Sequence, residues 1–193
     1  MNRLEPIIQY IQNVVQLNNK ESDFFASHFE EVRLKKRQFF IQPSFPVDHV
    51  YYVVQGALRS YLISKDGRDH TISFAIDDWW ITDYNSFFYR KPATLFAVAL
   101  EDSFVLKLSH NDMSKLKKAN HKFESFFATF AEKALAFHLR RITSNLTLSA
   151  EVRYHQFLEE YPEIVNKVPQ YALASYLGMS AEFLSRLRSN KTD

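Results

Sequence analysis

The sequence predicts an α+β protein with a small β-barrel or jelly roll, then a long helix, then a C-terminal pair of short helices. Three observations lead to this fold class. Short β-type runs separated by turn residues fill residues 32–108. An apolar repeat at helical spacing follows over residues 120–146. Residues 168–188 then carry the spacing of a helix-turn-helix motif.

The first part of the chain predicts helix followed by strands. Apolar residues recur at helical spacing over residues 3–30, which we therefore expect to be helical. Asp66 and Gly67 favour a tight hairpin between two of the later strands. The predicted strands are residues 39–41, 50–54, 57–62, 71–74 and 104–108. Short strands at such spacing are typical of a barrel or jelly roll.

Helix returns after Leu108. Ser109 and Asp112 resemble a capping box that opens a short helix. In the long helix over residues 120–146, five apolar residues recur at spacings of 4, 3, 4 and 3, and Phe126, Ala131 and Leu135 widen that face. The five residues are Phe123, Phe127, Phe130, Ala134 and Phe137. We expect them to form a homodimer seam, although the same face could pack only against its own sheet.

The C-terminal region predicts three further helices. Ser149 is expected to cap a helix that carries Val152, Phe157 and Leu158 inward and that Pro162 stops near Tyr161. In the motif that follows, a small residue, a turn glycine, a cap and two core leucines fall in register. They are Ala174, Gly178, Ser180, Leu184 and Leu187, with Pro169 in the first turn of the first helix.

In helix-turn-helix proteins the second helix enters the major groove of DNA. We therefore expect Glu182, Ser185 and Arg186 to lie nearest the base edges, where Arg186 suits guanine and Glu182 suits a cytosine amino group. Phosphate contacts are expected from Gln170, Tyr171, Ser180, Arg188 and Lys191. The alternative is an ordinary helical hairpin without DNA binding.

Composition narrows the classes of protein. The 193 residues are 46% hydrophobic, with 18 Phe and 10 Tyr for a core, and no Cys for disulfides or thiolate metal sites. Residues 109–193 carry three more basic than acidic residues, which is compatible with a nucleic-acid-binding end. No apolar run has membrane-spanning length and the start lacks a signal-peptide pattern, so a cytoplasmic location and no membrane contact are expected.

An enzyme is the less favoured alternative. Similar barrels occur in cupins, but a cupin metal site typically begins His-x-His, whereas His49 and His70 lie 21 residues apart. With three Gly, the chain shows no phosphate loop or nucleophile elbow. His49, His70 and His138 are interpreted as surface or packed residues. No catalytic residue, metal ligand or cofactor is expected.

The order of barrel, long helix and helix-turn-helix resembles the Crp/Fnr family of bacterial transcription regulators, over nearly the whole chain. Residues 50–58 resemble the family's strand pair around a glycine, residues 65–68 its hairpin, residues 97–102 its late strand and turn, and residues 180–186 the start of its recognition helix. The resemblance implies a cyclic nucleotide-binding-like β-roll domain (residues 1–110), a dimerisation region (111–147) and a DNA-binding domain (148–193).

The resemblance also implies a homodimer on double-stranded DNA, with RNA polymerase and a small-molecule effector as further partners. Ala181 stands where many relatives carry an arginine. The chain ends five residues after Arg188, which leaves no room for a β-hairpin wing. A ligand sensor or interaction module that does not bind DNA is therefore an alternative function.

In this chain the residues at the position of the family's phosphate-binding cassette depart from the family pattern. With one residue inserted near Trp79, Asp83 falls at the family's Glu, Thr82 at its Gly and Ala93 at its phosphate-binding Arg. A buried phosphate without that cation would be costly, so cyclic AMP is not expected to bind. Some other, more apolar effector or plain core packing remains open for the residues of this region. They are Trp79, Trp80, Thr82, Asp83, Tyr84, Phe87, Ala93 and Thr94.

Overall fold

The computed structural model describes residues 3–189, and its strands form two four-stranded antiparallel sheets. One sheet has the order β1-β8-β3-β6 and the other the order β2-β7-β4-β5. The strands are β1 Phe29–Leu34, β2 Phe39–Ile41, β3 His49–Gln55, β4 Ala57–Ile63, β5 Asp69–Ile76, β6 Trp80–Ile81, β7 Phe96–Ala99 and β8 Ser103–Ser109. The jelly-roll type of barrel expected from the sequence is confirmed.

The helices precede, interrupt and follow this barrel. They are α1 Glu5–Gln12, α2 Asn19–Ala26, α3 Tyr84–Tyr89, α4 His110–Ala119, α5 His121–Thr147, α6 Ala150–Glu160, α7 Pro162–Lys167, α8 Gln170–Tyr176 and α9 Ala181–Ser189. The α+β class is therefore confirmed, with a barrel, a 27-residue helix and a C-terminal helical unit (α6–α9). The expected boundary after residue 110 falls just inside α4.

Two turns in the barrel depend on glycine. Gly67 has φ +81° at the tip of the β4–β5 hairpin, and its N–H donates to the carbonyl of Ser64. Gly56 has φ +126° between β3 and β4, where an added Cβ would lie 2.2 Å from Oγ of Ser103. The hairpin predicted from Asp66 and Gly67 is confirmed, and at Gly56 both the backbone angle and the close approach require glycine.

The core has two layers. Apolar side chains from both sheets, such as Leu34, Val53 and Leu58, pack between them. A second cluster lies where helices α1, α2, α4 and α5 cover the outside of β3 and β8, and it includes Tyr52, Phe25, Phe123 and Leu106. The long helix is therefore attached to the barrel through its first half.

The structure corrects several local expectations. Helix does not run through residues 3–30: it breaks between α1 and α2, and β1 begins at Phe29, which lies opposite Leu108 of β8. Val152 is 42% exposed rather than turned inward. Pro162 ends α6 as expected but also begins α7, because a proline ring suits the first turn of a helix.

Candidate nucleic-acid interface and ligand cavity

The helix-turn-helix predicted from the sequence is present in α8 and α9. Gly178 has φ +68° in the turn, and the next N–H, of Met179, donates to the carbonyl of Ala174 at 3.0 Å. The hydroxyl of Ser180 accepts the N–H of Phe183 at 3.1 Å and so caps α9. The predicted turn glycine and helix cap are confirmed. Pro169 lies at the N-cap of α8, one position before the first turn.

Burial divides α9 into an inner and an outer face. Leu184 is fully buried and Leu187 half-buried, and Ala174 is buried opposite them in α8. The side chains expected to contact DNA from α9 and its cap all lie in exposed positions. They are Ser180, Ala181, Glu182, Ser185, Arg186 and Arg188. The fold therefore leaves this face free for a partner.

Two of these side chains also interact within α9. The guanidinium carbon of Arg186 lies 5.6 Å from the ring centre of Phe183. Hydrogen bonds from its own backbone N–H and from the Ser180 hydroxyl lower the pKa of Glu182, and the charge of Arg186 acts in the same direction. Glu182 is therefore anionic at the start of α9, where the positive end of the helix dipole also stabilises its charge.

The residues expected to contact phosphates are distributed over both helices of the motif. Gln170 and Tyr171 are exposed in the first turn of α8, and the Tyr171 ring lies 5.2 Å from the guanidinium carbon of Arg59 in the barrel. Arg188 is exposed in the last turn of α9. Lys191 lies outside the described residues.

Helix α8 packs directly on strand β5 of the barrel, a contact that the sequence did not reveal. The N–H of Thr71 donates to Oγ of Ser175 at 2.9 Å, and Oγ1 of Thr71 donates to the carbonyl of Ala172 at 3.0 Å. From α5, the guanidinium of Arg141 donates to the carbonyls of Thr71, at 3.0 Å, and Tyr176, at 3.1 Å. Barrel, long helix and C-terminal unit are thus joined at one point.

The structure places the first part of the expected dimer seam against the chain's own barrel. Phe123 and Phe127 are buried against their own barrel, with 1% and 3% exposure, so no surface is left for a partner. The ring of Phe130 lies 5.2 Å from Trp80, and that of Phe137 lies 5.8 Å from Trp79. Ala134 lines a cavity on the same face. The face bearing these five residues is the inner face of α5, because it covers the barrel.

A second apolar stripe lies on the opposite face of α5. Phe137 and Leu139 are two residues apart, which places them about 200° apart around the helix. Four large side chains on this outer face recur at spacings of 4, 3 and 4 and are 61%, 53%, 54% and 81% exposed. In that order they are Leu135, Leu139, Ile142 and Leu146. Leu135, which was expected to widen the inner face, belongs to this outer stripe.

A cavity of about 530 Å³ lies between the barrel, α5 and Tyr161. Of the expected effector residues, Trp79, Trp80 and Tyr84 line it. Its wall is predominantly aromatic, as is usual for small-molecule sites.

The other expected effector residues are not part of this cavity. Thr82 is buried and donates its hydroxyl to the carbonyl of His49 at 2.9 Å. Phe87 and Ala93 are buried in the core, and Thr94 is exposed. Their assignment to an effector pocket is therefore corrected, because packing and hydrogen bonding inside the barrel already occupy the buried side chains.

The carboxylate of Asp83 fixes the backbone of the cassette region through hydrogen bonds. Its carboxylate is 2% exposed and accepts the N–H of Ser86 at 3.0 Å, which caps α3. It also accepts the N–H groups of Thr94 and Leu95 at 2.8 and 3.2 Å. Backbone donors that could face a bound anion are therefore satisfied by a carboxylate of the chain itself.

Residues 3–189 contain neither a metal-binding cluster nor a membrane-spanning helix. Within that range no cluster of three or more His, Asp or Glu side chains has the arrangement of a metal site. Among the helices described there, none combines the length and the apolar character needed to cross a membrane.

Comparison with known proteins agrees with this architecture. Residues 31–120 match the family model of the cyclic nucleotide-binding domain. No curated protein sequence matches the chain. Among solved structures, FixK2 from Bradyrhizobium japonicum is similar at a TM-score of 0.72 and 22% identity, over 84% of this chain and 83% of that one.

Two other solved structures cover more of the chain. The c-di-GMP-responsive global regulator CLP of Xanthomonas campestris has a TM-score of 0.68 and 15% identity, over 90% of this chain and 91% of that one. A protein of Eubacterium rectale, described as a transcriptional regulator of the Crp/Fnr family, has a TM-score of 0.67 and 17% identity, over 90% and 83% of the two chains. Residues 31–120 thus match the cyclic nucleotide-binding domain, and the chain has the fold of the solved Crp/Fnr transcription regulators to which it is similar.

Proposed function

We propose that this protein is a sequence-specific DNA-binding transcription regulator that acts as a homodimer. The observation that carries the proposal is the division of α9 into two faces. Leu184 anchors the helix in its own unit, while Ser185 and Arg186 remain exposed on a helix whose start is capped by Ser180. A helix that presents its first turns in this way suits the major groove of B-DNA.

The side chains of α9 have separate roles in this proposal. Arg186 donates two hydrogen bonds to O6 and N7 of a guanine, because its planar guanidinium matches that edge. Ser185 contacts a neighbouring base edge. Glu182 can accept a hydrogen bond from a cytosine amino group when its carboxylate releases the hydrogen bonds that it accepts at the start of α9. Ala181 has no polar side-chain group for a base contact.

Phosphate contacts come from the rim of the same surface. Gln170, Tyr171, Ser180 and Arg188 are exposed around α9 and position it without reading sequence, and Lys191 is proposed to assist them. Because Arg188 and Lys191 are the charged members of this set, rising salt should weaken binding to all sequences through these two residues.

A homodimer would place two copies of α9 on successive turns of DNA. The outer stripe of α5 supports this assembly, because a twofold axis beside it would bury the same four aliphatic side chains from each copy. Their 4-3-4 spacing is that of a coiled-coil seam. The inner stripe is less suited to this contact, since the chain's own barrel covers Phe123 and Phe127.

The barrel of this regulator is proposed not to bind cyclic AMP. The position of the family's phosphate-binding arginine is Ala93, which is 4% exposed and apolar. In addition, Asp83 places a buried negative charge at the backbone donors of the cassette. A cyclic phosphate there would meet a like charge and no cation.

Selection of binding sites from random double-stranded DNA tests the proposal. Wild-type protein should select an inverted repeat with half-sites about 10 base pairs apart, centre to centre. Arg186→Ala should lose discrimination at one position in each half-site, at a cost of about 1–3 kcal/mol. Arg188→Ala should instead weaken all sequences alike and reduce the salt dependence.

Arg33→Ala is the matched control, because Arg33 is an exposed arginine of β1, which lies in the other sheet from the strand β5 that α8 packs on. It should select the wild-type site with wild-type affinity. The proposal is wrong if wild-type protein enriches no symmetric site, or if Arg186→Ala enriches the same site with equal discrimination. In either case an interaction module that does not bind DNA would be the better description.

A further inference from the structure

Arg59 of strand β4 is a charged side chain buried at the contact between the barrel and α8. Its side chain is only 3% exposed. The guanidinium donates to both carboxylate oxygens of Asp69, at 2.8 and 3.2 Å, and to the hydroxyl of Thr71, at 2.7 and 3.0 Å. Asp69 thus balances the charge, and the two partners on β5 together fix the plane of the guanidinium.

The same guanidinium lies against two tyrosine rings. Its carbon is 4.5 Å from the ring centre of Tyr61, in the barrel, and 5.2 Å from that of Tyr171, in the first turn of α8. Both distances are within the range of attractive contacts between a cation and the face of an aromatic ring. Arg59 therefore connects strand β5 to one particular side chain of the helix-turn-helix motif.

Tyr171 is held at its ring but not at its hydroxyl. The residue is 52% exposed, and among residues 3–189 its hydroxyl makes no hydrogen bond. The contact with Arg59 restricts the ring, while the hydroxyl stays available as a donor to an anion. A side chain that is ordered before binding loses less conformational entropy on binding than one that is not.

The backbone of α8 has its own contacts with the barrel. The hydroxyl of Thr71 donates to the carbonyl of Ala172, and the N–H of Thr71 donates to the hydroxyl of Ser175. These bonds do not involve the ring of Tyr171. Loosening the contact between Arg59 and Tyr171 should therefore free the ring and leave the helix in place.

We propose that Arg59 is a positioning residue for DNA binding, which holds the ring of Tyr171 so that its hydroxyl donates to a DNA phosphate. Arg59 itself is too deeply buried to reach the phosphate. The inference rests on the proposed function, because it gives a barrel residue a part in the phosphate contact of α8. Phosphate contacts are common to all sequences, so this barrel residue contributes to affinity and not to the choice of sequence.

A double-mutant cycle on the DNA affinity of the full chain tests the inference. The probes are a duplex with the site that wild-type protein selects and a duplex of unrelated sequence. Tyr171→Phe should weaken binding to both about tenfold, the loss expected for one hydrogen bond to a charged group. Arg59→Lys keeps the charge but loses the planar fork, and should weaken binding to both about threefold to fivefold. Combined with Tyr171→Phe, Arg59→Lys should cause no further loss.

The cycle separates positioning from a purely structural role. If Arg59 only fastened α8 to the barrel, Arg59→Lys would weaken DNA binding with or without the Tyr171 hydroxyl, and the two losses would multiply. Asp69→Asn is a second variant, for use if Arg59→Lys fails to fold by circular dichroism. It keeps the guanidinium and removes its charge partner, so it should cause a smaller loss that is also absent in combination with Tyr171→Phe.

Two exposed residues provide matched controls. Arg33→Lys, in β1, and Tyr89→Phe, at a residue that is 72% exposed in α3, should leave both affinities at the wild-type value. The inference is overturned if the losses multiply, if Tyr171→Phe binds like wild type, or if folded Arg59→Lys and Asp69→Asn both bind like wild type. Each of these results occurs with wild-type protein still selecting its site, and so leaves the proposed function intact. If wild-type protein selects no site, the proposed function fails and this inference fails with it.

Discussion

Leu139→Ala is the substitution that tests the outer stripe of α5 most directly. Leu139 is 53% exposed in the single chain and lies in the middle of the four aliphatic residues. A partner helix on this stripe would bury the exposed half. Shortening the side chain should therefore weaken the homodimer and leave the fold of each chain intact.

The size of the effect follows from the exposed fraction. Complete burial of a leucine side chain is worth about 1.5–3 kcal/mol. About half of that, or roughly 1 kcal/mol, is available to the dimer from each Leu139. A twofold interface contains the residue twice, so the loss is about 2 kcal/mol, or about 30-fold in the dimer dissociation constant.

Sedimentation equilibrium over a wide range of protein concentration measures this constant. Ile63→Ala is the control, because Ile63 is 52% exposed at the barrel hairpin and is similarly aliphatic. Phe130→Ala should reduce the free energy of unfolding, since the ring packs on Trp80, with little change in dimer dissociation. If Leu139→Ala and Ile63→Ala dissociate at the same concentration, the outer stripe is not the dimer interface.

Three other predictions concern the barrel and the helices that pack on it. Gly56→Ala should lower the free energy of unfolding, measured with urea, more than Gly67→Ala: both residues have positive φ, but only Gly56 would place a Cβ against Ser103. The ammonium of Lys122 lowers the pKa of Glu21 from 4.5 to about 2, so its ionised form stabilises the fold above pH 4.5 and that contribution is lost as pH falls toward 2. Glu21→Gln should remove this part of the pH dependence of unfolding. Calorimetry should detect no binding of cyclic AMP or cyclic GMP at micromolar concentration.

The helix-turn-helix could be predicted almost residue by residue. Its signals are local: Gly178 needs a left-handed backbone, Ser180 caps the helix that it precedes, and Leu184 follows at core spacing. Such features depend on neighbours within a few residues, so the sequence contains them completely. The same holds for Ser109, which caps α4 as expected.

The two stripes of α5 show where sequence reasoning failed. Both repeat at helical spacing, and the larger Phe side chains drew attention to the inner one. Which stripe faces the barrel depends on where β3 and β8 lie, and that is tertiary information. The signal for the outer stripe was available in Leu135, Leu139, Ile142 and Leu146, whose spacing is equally regular.

The prediction of the effector residues was incomplete for a different reason. Trp79 and Trp80 line a cavity as expected, but Asp83 and Ala93 do not. The sequence placed all of them together because they are adjacent along the chain. In the fold, α3 turns the chain after Asp83, and the carboxylate is used as its cap. A short polar residue before an aromatic run was a capping signal that could have been read.

Arg141 links α8, and through it α9, to the rest of the molecule. Its half-buried guanidinium donates to carbonyls of β5 and α8 and lies 4.0 Å from the ring centre of Tyr176. No carboxylate within residues 3–189 pairs with it, so carbonyl dipoles and the ring must balance its charge. Because α8 and α9 share one small core, movement of either would break these bonds. Arg141 therefore holds α8, and with it α9, in place on the barrel.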